Sequence, residues 1–213
     1  MKCCVIGLGR FGYQVAITLA ENGVEVMAVD SNESIIDSIK DHVTQAICMH
    51  VTDEASLRSI GVDEMDVAVV AIGENLAQSI TMAVFLKKGL KVPRVIARAV
   101  TEIHRDILKL VGADRVVLPE KDTAVRVADG ISASFVDLLR VNKQFSVIQL
   151  MAAKSFIGKT VKEIGFYDNY DVHCVGVKDS KDMVATVGPS YIIKANDRLF
   201  FAGMIDDLEK LIQ

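Results

Sequence analysis

Residues 1–30 read MKCCVIGLGRFGYQVAITLAENGVEVMAVD, and the punctuation of that stretch decides the fold. An apolar run from Cys3 to Ile6 meets Gly7, Gly9 and Gly12 in G-x-G-x-x-G spacing. A helical pattern follows, and a second apolar run ends in Asp30. The order is strand, glycine loop, helix, strand, acid. In such a loop one glycine permits the tight turn, one lets the backbone approach a pyrophosphate, and one lets the helix pack closely on the sheet. The helix opening at Arg10 and Phe11 points unpaired N–H groups and its positive dipole end at a phosphate. Asp30, followed by Ser31 and Asn32, stands where a carboxylate accepts hydrogen bonds from ribose hydroxyls, and its charge disfavours a 2′-phosphate.

The same alternation continues outward. Short β-branched runs predict strands at 2–6, 25–29, 45–49, 67–72, 94–98 and 115–118. Helical spacing predicts helices near 10–22, 32–41, 54–60, 75–89, 103–111 and 122–140. The continuously apolar VAVVAI at 67–72 suits a parallel strand covered on both faces. Six β-α units make an α/β, Rossmann-like doubly wound parallel sheet over residues 1–134. The stripe through 122–140 carries Ala124, Val127, Ala128, Ile131, Phe135, Leu138 and Leu139 at helical spacing. It is a face for the helix's own domain or for a partner, and periodicity does not choose between them. From 145 to 213 the pattern becomes short strands with a short helix near Val161 to Ile164 and a last one at 205–212, a small C-terminal α+β domain. Residues 135–144 are expected to join the two domains as crossover helix and linker.

Ligands of doubly wound sheets lie beyond the carboxyl ends of the strands. After the third strand stand Thr52 and Asp53, candidates for helix capping or a base contact. After the fourth stand Ala71, Ile72 and Gly73, then Asn75 as an N-cap. Strand five ends in Arg98, a charge placed for a phosphate. Arg10, inside the glycine loop, adds a fork suited to phosphate oxygens beyond a plain pyrophosphate.

Composition narrows the alternatives. The 213 residues are 51% hydrophobic, with 24 Lys+Arg against 28 Asp+Glu for a net charge of -4. No basic block argues for nucleic acid, and no run reaches the roughly 20 apolar residues of a membrane span. The start goes straight into a strand, so a cytoplasmic location is expected. Cys3, Cys4, Cys48 and Cys174 show no C-x-x-C pair, and adjacent Cys3 and Cys4 point to opposite faces of a strand, as buried thiols do. The four histidines lack ligand spacing. Gly158-Lys159-Thr160 imitates the end of a P-loop, but Ala153 stands where its first glycine belongs.

The chain GLGRFG…AVD…AIGEN…GADRVVLPEKD, followed by a small β-rich domain, resembles the regulator-of-K⁺-conductance (RCK) proteins along essentially its whole length. Those proteins are cytosolic regulatory subunits of Trk and Ktr potassium transporters. The resemblance implies ATP or ADP, with NAD(H) as the other candidate, bound by Gly7, Gly9, Gly12 and Asp30. It implies a terminal phosphate met by Arg10, and a basic residue near the nucleotide at Arg98. Glu120 matches a glutamate that in Ktr-type relatives helps hold a divalent cation, Mg²⁺ or Ca²⁺, between two subunits. Further implications are a homo-oligomer, a dimer within an octameric ring, and a membrane K⁺ transporter as partner, with this chain peripheral to the inner face of the membrane. Two departures stand out. Met49-His50-Val51 replaces the family's Gly-Asp-Ala, removing an acidic base contact at His50. The acidic segment Tyr167 to Asp171 works against the cyclic di-AMP binding of some Ktr-type C-terminal domains. The other reading of the glycine loop, an NAD-dependent oxidoreductase, lacks a His/Asp or Tyr/Lys catalytic constellation. The expected role is that of a non-enzymatic sensor.

Overall fold

The computed structural model describes residues 1–132, 136–142 and 144–211. They form two compact units, Met1–Asp122 and Thr123–Gln213. The division falls before the 1–134 boundary expected from sequence, at the edge of residues 121–128, which are exposed.

In the first unit β1 (Lys2–Ile6), β2 (Glu25–Asp30), β3 (Gln45–Cys48), β4 (Val67–Val70), β5 (Arg94–Arg98) and β6 (Arg115–Val117) make one parallel sheet. Its strand order, β3-β2-β1-β4-β5-β6, is that of the dinucleotide-binding fold. The order reverses direction beside β1, which opens a crevice over the glycine loop. Helices α1 (Arg10–Glu21), α2 (Glu33–Ile39), α3 (Glu54–Ser59), α4 (Leu76–Val84) and α5 (Glu102–Leu110) connect the strands. The two faces of β1 feed separate cores: Cys3 and Val5 pack with Ala16, Ile36 and Ile39, whereas Cys4 and Ile6 pack with Leu57, Met82 and Leu86. The adjacent cysteines point apart, as their alternation requires. Burial pushes the Cys3 thiol up to about 11 and the Cys4 thiol further still, so neither is a reactive thiolate. Each fully buried Val, Ile or Leu of this core contributes roughly 1.5–3 kcal/mol.

The helix expected over 122–140 is shorter. It is α6, Pro119–Ser132, and residues 133–135, including Phe135, lie outside the described residues. Val136–Arg140 is a strand, β7, antiparallel to β8 (Phe145–Met151), not crossover helix. Here the β8 edge supplies a ladder for the backbone, and an Asx turn joins the strands: Asn142 Oδ1 accepts from the N–H groups of Gln144 and Phe145 at 2.7 and 2.9 Å.

The second sheet runs β10-β9-β11-β8-β7, with β9 (His173–Lys178), β10 (Val184–Ala185) and β11 (Arg198–Met204). Leu199 and Phe201 alternate inward from β11 to meet Ile148 and Val177. Phe156, Phe166 and Phe201 close the core edge to face, with ring centroids 5.1 and 4.9 Å apart. Three short helices, α7 (Val161–Ile164), α8 (Phe166–Tyr170) and α9 (Ile205–Lys210), complete it. The turn expected at Asp179 to Asp182 is present, closed by Asp179 N–H donating to Met183 O.

The P-loop imitation resolves as a cap. Thr160 Oγ1 accepts from Glu163 N–H at 3.1 Å, and the Glu163 carboxylate accepts from Thr160 N–H at 2.7 Å, a reciprocal capping box on a four-residue helix. Thr160→Ala is expected to lower stability by about 1 kcal/mol, read from the urea midpoint, with no change in nucleotide affinity.

Candidate functional site

A cleft of about 770 Å³ opens at the carboxyl ends of β1, β2, β4 and β5. That volume lies in the range of small-molecule sites. Its floor is the glycine loop. Gly7 adopts φ +90, which an L side chain rarely tolerates, and its N–H donates to Val29 O at 2.9 Å. Gly9 precedes α1, and nothing within 4 Å would obstruct a side chain there. The missing Cβ therefore answers to no neighbour in the chain; it leaves the backbone bare toward the cleft. No side chain caps α1, so its first N–H groups remain free for an anion. Gly12 lies behind this floor. A Cβ on it would overlap Gly7 O and press on Ala71 Cβ, so it serves loop-on-helix packing and does not line the cleft.

Asp30 does more than present a carboxylate. Oδ2 accepts from Leu8 N–H at 2.6 Å and Oδ1 from Asn32 N–H at 2.8 Å, which ties the glycine loop to the turn after β2. Asn32 in turn caps α2 by accepting from Ser34 N–H at 3.0 Å. Asp30, Ser31 and Asn32 all line the cleft. Across it, Ala71 N–H donates to Ile6 O at 2.8 Å, and Ala71, Ile72 and Gly73 form the β4 lip. Asn75 caps α4 through Gln78 N–H at 3.0 Å.

Both expected cationic residues face the cleft. Arg10 begins α1 and is exposed, without an ion pair among the described residues. Arg98 ends β5, and its Nη2 donates to Glu120 Oε1 at 2.5 Å. A Cβ at Gly73 would overlap the Arg98 guanidinium, so that glycine makes room for the arginine as well as for a ligand. The backbone N–H at the start of α6 and the Arg98 guanidinium hold the Glu120 carboxyl below the usual carboxylate range.

Thr52 and Asp53 are not in the cleft wall. Asp53 caps α3, accepting from both the N–H and the hydroxyl of Ser56 at 2.7 Å, and those bonds hold its carboxyl below the ordinary range. Met49, His50 and Val51 line the cleft instead, together with Phe11. Sequence reading missed Ile35, Glu74 and Gln78. The signal for Ile35 and Gln78 lay in the caps: a residue three after an N-cap shares its side of the helix, and Asn32 and Asn75 both cap toward the cleft.

The cation expected at Glu120 is one shared between two subunits, and one chain supplies only part of such a site. Among the described residues no group of three His, Cys, Asp or Glu side chains comes together for a metal. Glu120 contributes one carboxylate, already neutralised by a guanidinium. Within one chain this does not fit a cation, and no step is assigned to one. The nucleotide does fit: bare backbone, an uncapped helix start, an acid placed for a ribose and two arginines converge on one cleft.

Fold and cleft together define the class, a Rossmann sheet with a phosphate-type glycine loop followed in the chain by a small antiparallel α+β domain. The chain matches the TrkA-N domain family over residues 3–119 and the TrkA-C domain family over 148–213, and it belongs to this family of RCK proteins. It is 32% identical over 207 residues to the Ktr system potassium uptake protein C of Bacillus subtilis (strain 168), covering 97% of this chain and 93% of that protein. The structure of a GsuK channel bound to NAD aligns with all of this chain at a TM-score of 0.56 and 21% identity, but the match spans only 38% of that channel. The structure of GsuK bound to ADP aligns with 62% of this chain and 34% of its own, at a TM-score of 0.54 and 26% identity.

Proposed function

We propose that this chain is a nucleotide-sensing regulatory subunit of a membrane K⁺ transporter of the Trk or Ktr type. The observation that carries the proposal is the convergence of the uncapped α1 start, Asp30, Arg10 and Arg98 on a cleft at the switch point of the sheet. Adenine nucleotides, ATP or ADP, are the ligands this chemistry favours, with NAD(H) sharing the pyrophosphate and ribose contacts. Supporting the partner, the Bacillus subtilis relative named above, 32% identical over 97% of this chain, is a potassium uptake protein. Contact with the transporter is assigned to a cytoplasmic, membrane-peripheral subunit, as the family membership suggests; among the described residues no helix is long and apolar enough to cross a membrane. Supporting self-association, Val127 and Ile131 of α6 leave 56% and 81% of their surface exposed, a stripe suited to a second copy.

A ligand gates such an assembly only through different affinities for its two conformations. The group that distinguishes ATP from ADP is the terminal phosphate, and Arg10, inside the glycine loop and lining the cleft, has no ion pair among the described residues. Calorimetric titration of ATP, ADP, NADH and NAD⁺ tests the reading. Arg10→Ala is expected to weaken ATP by about tenfold, the worth of one charge-assisted hydrogen bond, and to leave adenosine unchanged. Turnover of NADH with a small substrate, or equal ATP affinity in the variant, overturns it.

A further inference from the structure

The nucleotide cleft opens at the carboxyl ends of a parallel sheet, so the amino ends of the same strands form the opposite pole of that unit. Five cations gather there from separate stretches of chain. Lys88 stands in the π-helical turn Phe85–Gly89 that prolongs α4, Lys91 in the loop that follows, Arg94 at the start of β5, Lys109 in the last turn of α5 and Arg115 at the start of β6. All five are exposed, and none has an ion pair among the described residues. Asp114 N–H donates to Val95 O at 2.8 Å and Val95 N–H to the Asp114 carboxylate at 2.7 Å, which sets Arg94 and Arg115 beside one tie. A Cβ on Gly112 would lie 3.6 Å from Lys88 Nζ, and Gly112 N–H donates to Lys109 O at 3.1 Å, so Lys88 reaches the turn that Lys109 begins. The neighbouring carboxylates are already spent: Asp114 on Lys87 at 2.7 Å, Asp106 on Arg105 at 3.5 Å and Glu54 on Arg58 at 3.1 Å.

Cations favour helix C-termini, which accounts for Lys88 and Lys109. Lys91, Arg94 and Arg115 lie in loop and strand, where that account does not reach. We infer that this pole is a docking surface for an anionic lipid bilayer. The whole chain carries a net charge of -4, which by itself predicts repulsion from such a surface. Local charge decides, because at physiological salt a field decays over about 8 Å. Glu25, at the start of β2, stands three strands away from β5, roughly 14 Å at the usual strand spacing, and is screened out. A lipid surface asks for no fixed partner geometry, which suits flexible side chains left without one, and each Lys or Arg near it adds to the attraction. Leu110, 84% exposed beside Lys109, supplies an apolar side chain of the kind that enters the headgroup boundary. With this pole on lipid, the cleft at the other pole faces the aqueous side. Nucleotide then exchanges without release of the chain from the membrane.

The test is co-sedimentation of the full chain with mixed phosphatidylglycerol and phosphatidylcholine vesicles, against pure phosphatidylcholine vesicles, without nucleotide. The wild-type chain is expected to bind the anionic vesicles alone and to be released by salt. Each neutralised cation is expected to weaken binding about fivefold, so Lys88→Gln/Lys109→Gln loses about 20-fold, with ATP affinity unchanged. Lys162→Gln, in the C-terminal unit, is expected to bind as wild type does. Equal binding to neutral vesicles, no binding to anionic ones, or a double variant that sediments as wild type does overturns the inference. A double variant that keeps its hold on vesicles but loses a detergent-solubilised transporter assigns the patch to an acidic protein surface, and this too overturns it. If the double variant does not fold, Lys91→Gln decides: a fivefold loss supports the lipid surface and equal binding overturns it. Because nucleotide is absent from the vesicle assay and ATP is titrated separately, failure of the lipid surface and failure of the nucleotide reading are told apart.

Discussion

Asp30→Ala is expected to lower nucleotide affinity by about 100-fold or more and to destabilise the free protein as well. Two separate losses combine. The carboxylate is placed to accept from ribose hydroxyls, and hydrogen bonds to a charged acceptor are worth about 1.5–3 kcal/mol. The same two oxygens already hold the N–H groups of Leu8 and Asn32. Leu8 is 2% exposed, so its amide has little recourse to water, and an unsatisfied amide there costs about 1–3 kcal/mol. Without the brace the glycine loop loses its fixed relation to β2 before any ligand arrives. Asp30→Asn separates the contributions only in part: one amide oxygen keeps one N–H, and the new NH₂ faces the other donor. Calorimetry gives the affinity and a urea titration the stability. Affinity within threefold of wild type in Asp30→Ala would remove this residue from the site.

The stability half of that expectation was invisible in the sequence, whereas the binding half was plain. G-x-G-x-x-G after an apolar run, with an acid at the end of the next strand, fixes the positions of loop and carboxylate through local rules of turn and strand. All six strands of the parallel sheet follow from β-branched runs for the same reason. What pattern does not convey is which backbone groups a side chain meets once the strands are side by side, as with Asp30 and Leu8. Gly73 is a similar case: the guanidinium that comes against it belongs to Arg98 at the end of the neighbouring strand, β5, a contact no local pattern announces. Thr52 and Asp53 looked equally suited to capping and to binding, and the hydroxyl and amide of Ser56 decide for the cap. The largest departure, β7, arose because Val136 to Leu139 continues a helical stripe and also makes a short apolar run. Short runs fit either element, and the open edge of β8 supplied the ladder that selects a strand.

The glycines of the loop separate folding from binding, which two single substitutions measure. In Gly12→Ala the new methyl overlaps Gly7 O and presses on Ala71 Cβ. None of these atoms can yield easily. Gly7 is held at φ +90 with its N–H on Val29 O, and Ala71 is 3% exposed at the end of β4. The strain is relieved only by lifting α1 from the sheet, which also withdraws Ala16 from its core. Overpacking of this kind costs about 1–3 kcal/mol and occasionally more, so a drop of about 3 kcal/mol is expected, with nucleotide binding lost because the helix N-terminus has moved. In Gly9→Ala the methyl meets nothing within 4 Å, and stability is expected to stay within about 0.5 kcal/mol of wild type. That methyl nevertheless stands where the loop backbone faces the cleft. A phosphate drawn to the N–H groups of α1 is then held off, and affinity is expected to fall by about tenfold or more, since a lost charge-assisted bond is worth about that factor. Urea midpoints and ATP titrations of both variants read the two effects independently. A Gly9→Ala protein that binds ATP as wild type does would show that the bare backbone at Gly9 is not the phosphate cradle.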